Sequence, residues 1–66
     1  MENTVRIRYR REIFKVRSGV NLVEALEKLG IDPESVLGVR DGEMIGGETV
    51  LEAGDEVRLV AAISGG

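Results

Sequence analysis

Residues 4–10, TVRIRYR, alternate strictly, with Val5, Ile7 and Tyr9 on one side and Arg6, Arg8 and Arg10 on the other. A period of two predicts a half-buried strand with its arginines in water. REIFKVR, residues 11–17, predicts a second strand, with Phe14 and Val16 inward, Lys15 and Arg17 outward and Ile13 on the wet side. The two strands nearly abut at Arg10-Arg11, so a hairpin with a tight turn is expected, although no Asn-Gly or Asp-Gly pair sets its register. The period then lengthens. In SGVNLVEALEKLGID, Leu22, Leu26 and Leu29, flanked by Val23 and Ala25, form one apolar stripe at helical spacing. Asn21 is a good N-cap and Glu24, three residues on, completes a capping box. Gly30 suits the left-handed position after the helix, which lets Ile31 fold back on Leu26.

After Gly30 the segments shorten. Asp32 and Pro33 predict a single helical turn, VLGVRDG a third strand ending at the Asp41-Gly42 turn, and EMI a short fourth strand. Gly46-Gly47 breaks the chain and reads as a turn without function. TVLEAGD is expected to carry Val50 and Leu51 into the core and to turn at Gly54-Asp55. EVRLVAAI predicts a last strand with Val57, Leu59 and Ala61 on one face and Arg58, Val60 and Ala62 on the other. A strand so apolar at its end belongs in the middle of a sheet, beside the first strand. The order β-β-α-β-β-β gives a two-layer α+β domain, a mixed sheet of four or five strands with one main helix on one face. That is the β-grasp arrangement, expected over residues 1–63 and followed by a flexible Ser64-Gly65-Gly66 tail.

The residue inventory excludes most catalytic chemistry. The 66-residue chain has no cysteine and no histidine. Thiolate nucleophiles, zinc–thiolate and iron–sulfur sites are thereby removed, as are the usual proton shuttle and the commonest metal ligand. Ser18, Ser35 and Ser64 have no histidine to activate them. The acids Glu24, Glu27, Asp41, Glu43 and Glu48 lack the spacing of a calcium loop, and GEMIGG has neither the lysine nor the context of a phosphate-binding loop. A small domain of this kind is not expected to be an enzyme or to bind a cofactor itself. No apolar run resembles a signal peptide or membrane span, so a soluble, cytoplasmic protein is expected. The net charge of −3 is unevenly divided: residues 1–17 carry six cations against Glu2 and Glu12, and the remainder carries ten acids against Lys28, Arg40 and Arg58.

The pattern Gly54-Asp55-x-Val57, then an apolar strand, then Gly65-Gly66, resembles that of the ubiquitin-like sulfur carriers of the ThiS/MoaD family. VNLVEALEKLGI at 20–31 and VRDGEMI at 39–45 resemble the family's helix and following strands, so the resemblance spans nearly the whole chain. It implies that the reactive group is the α-carboxylate of Gly66. That group is ionised and unreactive at neutral pH, titrating at about 3.3–3.7, and must be activated. In relatives an E1-like enzyme uses ATP to adenylate the terminal glycine, and sulfur then replaces one oxygen to give a thiocarboxylate for a sulfur-accepting biosynthetic enzyme. The pathways served are thiamine, molybdopterin or thiolated tRNA, and the AISGG tail looks most like the tRNA-thiolation carriers. The alternative is a ubiquitin-like modifier joined through Gly66 to lysines of target proteins.

Glycines suit a tail that must thread a narrow channel, because without Cβ the backbone can be approached closely. Gly65 and Ser64 are therefore candidate threading residues, and Ser64 to Gly66 span about 10 Å when extended. The Arg6, Arg8 and Arg58 stripe reads either as a solvated sheet face or as a docking face for an acidic partner. Val60 and Ala62, with Ile13 near them, are the candidate apolar part of that face. With no aromatic residues interleaved among the cations, no direct nucleic-acid binding is expected.

Overall fold

The computed structural model describes residues 3–62. The expected domain end at residue 63 and the Ser64-Gly65-Gly66 tail lie outside the described residues. Strands β1 (Thr4–Tyr9) and β2 (Glu12–Arg17) are followed by helix α1 (Leu22–Leu29), a 3-10 turn at Pro33–Ser35, and strands β3 (Val36–Arg40), β4 (Glu43–Ile45) and β5 (Glu56–Ala61). The five strands form one mixed sheet in the order β2-β1-β5-β3-β4. β5 runs parallel to β1 and antiparallel to β3, and the other pairs are antiparallel. The last strand is thus central and beside the first, as its apolar composition implies, and the β-grasp expectation holds.

Both hairpin turns are tight. Tyr9 pairs with Glu12, leaving Arg10-Arg11 as a two-residue loop. Arg10 lies at φ 60, where glycine or asparagine is the common occupant. Asp41 and Gly42 both have positive φ (55 and 79), as a type I′ turn requires, and return β4 against β3.

The start of α1 shows why the neighbouring loop is built as it is. A helix leaves its first N–H groups without intrahelical partners, and here each finds an acceptor. The Asn21 N–H donates to the Glu24 carboxylate (3.0 Å), and the Glu24 N–H donates back to Asn21 Oδ1 (2.8 Å). Between them, the Leu22 and Val23 N–H groups donate to the carbonyls of Thr49 and Gly47, both at 3.0 Å. The loop must therefore pass close over the helix end. It does so at Gly47, where an added Cβ would stand 2.5 Å from Val23 Cγ2. Gly47 is a packing residue, which the reading of Gly46-Gly47 as a bare turn missed. At the other end the Ile31 N–H donates to the Leu26 carbonyl and Gly30 adopts φ 75, completing the expected ending.

One core lies between α1 and the sheet: Val5, Ile7, Val16, Leu22, Ala25, Leu26, Val36, Leu51, Val57 and Leu59, with Tyr9, Phe14, Leu29 and Ile31 packed around it. One inward assignment fails. Val50 is 54% exposed while Leu51 is fully buried. Leu51 pairs through its backbone with Gly19 and Val20, and in extended chain the residue before an inward one points out. Ala61 is exposed although it shares the parity of Val57 and Leu59. Pairing to β1 stops at Tyr9 and Leu59, so Ala61 has only β3 beside it.

Candidate functional site

The site is defined by where β5 begins, what it carries on its open side and where it ends. Its start is fixed by the Gly54-Asp55 turn. The Gly54 N–H donates to the Thr4 carbonyl and the Arg6 N–H to the Asp55 carbonyl, each at 3.0 Å, which sets the parallel register. The Asp55 carboxylate accepts the Glu52 N–H and the Arg40 guanidinium, both at 2.9 Å, tying the turn to β3. Arg40 and Asp55 are about three-quarters covered, so this pair is better shielded than a surface ion pair. At its other end β5 finishes beside the start of β3, and the Ala62 N–H still donates to the Ser35 carbonyl at 2.9 Å. Backbone hydrogen bonds hold the chain in the sheet as far as Ala61 and to the 3-10 turn at Ala62.

Among the described residues nothing covers the face opposite α1. The registers arrange its side chains in rows across the strands. The middle row crosses all five strands as Ile13, Arg8, Arg58, Val39 and Met44. Towards the end where β5 finishes lies the pair Val60–Leu37, and towards its start the row Lys15–Arg6–Glu56. Glu56 reaches Arg6 Nη2 at 3.7 Å and Arg8 Nη1 at 3.4 Å. A shallow depression lined by Thr4, Arg6, Lys15, Gly54 and Asp55 lies at the start of β5.

Of the residues singled out from the sequence, Arg6, Arg8, Arg58 and Val60 share this face, with Ile13 opposite Arg8. Ala62 is half-buried and follows the strand rather than belonging to it. Gly66, Gly65 and Ser64 lie outside the described residues. Leu37, Val39 and Met44 were missed as members of the face. Leu37 and Met44 are 42% and 67% exposed. Their alternation with Val36, Gly38 and Ile45 was the available signal, but only the pairing of β3 with β5 puts them beside Val60. Among the described residues no cluster of acidic or other ligating side chains is placed to hold a metal ion, and no helix is long and apolar enough to cross a membrane.

The model of the ThiS family matches residues 3–66. The chain is 36% identical over 66 residues, the whole of both chains, to the sulfur carrier protein TtuB of Thermus thermophilus. It is 45% identical over 49 residues to an uncharacterized protein of Archaeoglobus fulgidus, covering 74% of this chain and 72% of that one. Among solved structures, the N-terminal ubiquitin-like domain in the 4931431F19Rik protein superposes over 100% of this chain and 82% of its own, with a TM-score of 0.66 at 13% identity, a likeness of fold. A central β5 seated by Gly54-Asp55, a ubiquitin-like sheet under one helix and a full-length match to a sulfur carrier agree: the chain belongs to the ThiS family of ubiquitin-like sulfur carriers.

Proposed function

We propose that the α-carboxylate of Gly66 is the sulfur-carrying group. An E1-like enzyme transfers AMP from ATP to this carboxylate, releasing pyrophosphate. A persulfide sulfur then attacks the acyl carbon and AMP leaves. Thiol cleavage of the remaining S–S bond gives a thiocarboxylate, which hands its sulfur to a biosynthetic enzyme in the cytoplasm. The chain itself is a carrier rather than an enzyme, and the acids, bases and nucleotide site belong to its partners. The observation that carries the reading is the similarity to TtuB along the whole of both chains. The central position of β5 supports it: the strand is paired on both sides as far as Leu59 and on the β3 side through Ala61, so a pull on the chain end is resisted by the sheet. Of the destinations open to such carriers, we favour thiolation of tRNA, on the AISGG tail.

The test is the intact mass of the protein after incubation with its activating enzyme, ATP and a persulfide donor. One sulfur-for-oxygen exchange, abolished when Gly66 is deleted, is the expected result. An unchanged mass with an enzyme active on another carrier overturns it. Adducts on lysines of other proteins would assign the chain to the modifier class instead.

A further inference from the structure

Among the described residues at positive φ, Gly19, Gly30, Gly42 and Gly54 are glycines, and Asp41 is of a type that tolerates the left-handed region. Arg10, at φ 60, is neither. Positive φ at the first of two loop residues is the pattern of a type II′ turn, whose first place ordinarily belongs to glycine. Arginine there carries backbone strain. Its guanidinium lies 5.1 Å from the centre of the Tyr9 ring. That contact orients the side chain, but an exposed cation–π contact returns less than the left-handed backbone costs. Arg11 follows, exposed like Arg10, and among the described residues neither guanidinium meets a carboxylate. The turn would form more readily with glycine first, so hairpin formation does not account for the arginine at its tip.

The register places this tip. β1 and β5 run parallel with Tyr9 beside Leu59, so Arg10 comes level with Val60. The tip therefore stands at the end of the sheet from which the chain continues past Ala62, at the opposite end of β5 from the Gly54-Asp55 turn. We propose that Arg10 and Arg11 are positioning residues for charging of the C-terminal glycine, pairing with carboxylates of the activating enzyme beside the entrance through which the chain end passes. Reach decides between this role and direct contact with the nucleotide. Gly66 is six residues past Val60, about 20 Å of extended chain. An arginine side chain spans well under half of that, so a guanidinium at the tip stays outside whatever encloses Gly66. What it meets is the outer surface of the enzyme, close to the entrance. A guanidinium recognises a carboxylate through two parallel hydrogen bonds, and one already held on Tyr9 loses less freedom in forming them. The tight turn fixes both arginines to the sheet that holds β5, so their contacts set the depth and rotation at which the chain end is presented. This inference rests on the carrier reading, which supplies the enzyme.

The experiment follows pyrophosphate release by the activating enzyme with the full chain as the varied substrate, at low salt, alongside thermal unfolding of each variant. Arg10→Gly with Arg11→Asn installs residues that suit the turn. This double variant is expected to unfold at or above the native Tm, yet to raise KM at least about tenfold with kcat within about twofold. Arg11→Lys, which keeps the charge but not the paired hydrogen bonds, is expected to raise KM about threefold. Arg17→Gln removes a cation from the opposite end of β2 and should leave KM within about twofold. A double variant with the native KM overturns the positioning role. So does one with a Tm well below native, which would give the arginines to the hairpin. An equal rise in KM for Arg17→Gln reduces the effect to overall charge and overturns it too. An RNA oligonucleotide that inhibits charging of the native chain but not of the double variant would assign the tip to nucleic acid. If the native chain is not charged by an enzyme active on another carrier, the carrier reading fails with this one. If it is charged and the variants match it, this inference fails alone.

Discussion

Gly46 and Gly47 are adjacent, yet the structure requires opposite responses to alanine. A Cβ at Gly47 would stand 2.5 Å from Val23 Cγ2 and 3.8 Å from Val23 Cβ. Val23 is β-branched and on a helix, where one rotamer dominates, so it cannot swing aside as a long side chain would. If the loop moves instead, it stretches the bond from the Val23 N–H to the Gly47 carbonyl and with it the neighbouring bond from Leu22 to Thr49. Overpacking of this kind costs about 1–3 kcal/mol. The loss of unfolded-state freedom on replacing glycine offsets about 0.4–1 kcal/mol. Gly47→Ala is therefore expected to destabilise by about 1–2 kcal/mol. A Cβ at Gly46 meets nothing within 4 Å and the residue is not at positive φ. Gly46→Ala should then stabilise by about 0.4–1 kcal/mol. In a domain of this size 1 kcal/mol moves Tm by roughly 4–8 °C, so thermal unfolding followed by circular dichroism separates the two variants clearly. Val23→Ala in the Gly47→Ala background removes the clashing methyls and should recover much of the loss relative to Val23→Ala alone. A Gly47→Ala protein as stable as the native chain, or a double variant with no coupling, would refute the close-approach argument.

Other variants test the seat of β5, the core and the tail. Asp55→Ala leaves the Glu52 N–H without its acceptor and the largely covered Arg40 guanidinium without its carboxylate and should cost about 1–2 kcal/mol in urea unfolding; an unchanged midpoint would make Gly54-Asp55 merely a loop. Leu51→Ala empties a fully buried position and is expected to cost about 2–5 kcal/mol, a large part of the total stability, whereas Val50→Ala should stay within about 0.5 kcal/mol. Gly66→Val should leave Tm unchanged and sharply slow adenylation, read as pyrophosphate release; charging at the native rate would end the threading argument.

The strands and the helix were legible locally. A period of two in TVRIRYR, an Asn21–Glu24 capping box and the Asp41-Gly42 pair each act through near neighbours, so their chemistry is written in adjacent positions. The central position of β5 was expected from its apolar end, but Val60 and Ala61 there are exposed; pairing with β1 and β3, not shelter on both faces, makes the strand central. The missing catalytic residue types were plain from the inventory of the chain alone, and together with the Ser64-Gly65-Gly66 sequence they pointed to the main-chain carboxylate proposed above.

Tertiary structure decided what depends on register and on approach between distant segments. Val50 and Leu51 are equally apolar neighbours, and only the backbone pairing with Gly19 and Val20 sends one in and the other out. Gly46 and Gly47 are identical in sequence terms, and only the crossing over the start of α1 gives Gly47 a role. Leu37, Val39 and Met44 join Val60 on one face because β3 pairs antiparallel with β5. Periodicity assigns a residue to a side of its own strand, but a functional surface is the sum of several strands. Their relative register is set by long-range hydrogen bonds and by the covering helix, which no short stretch of sequence contains.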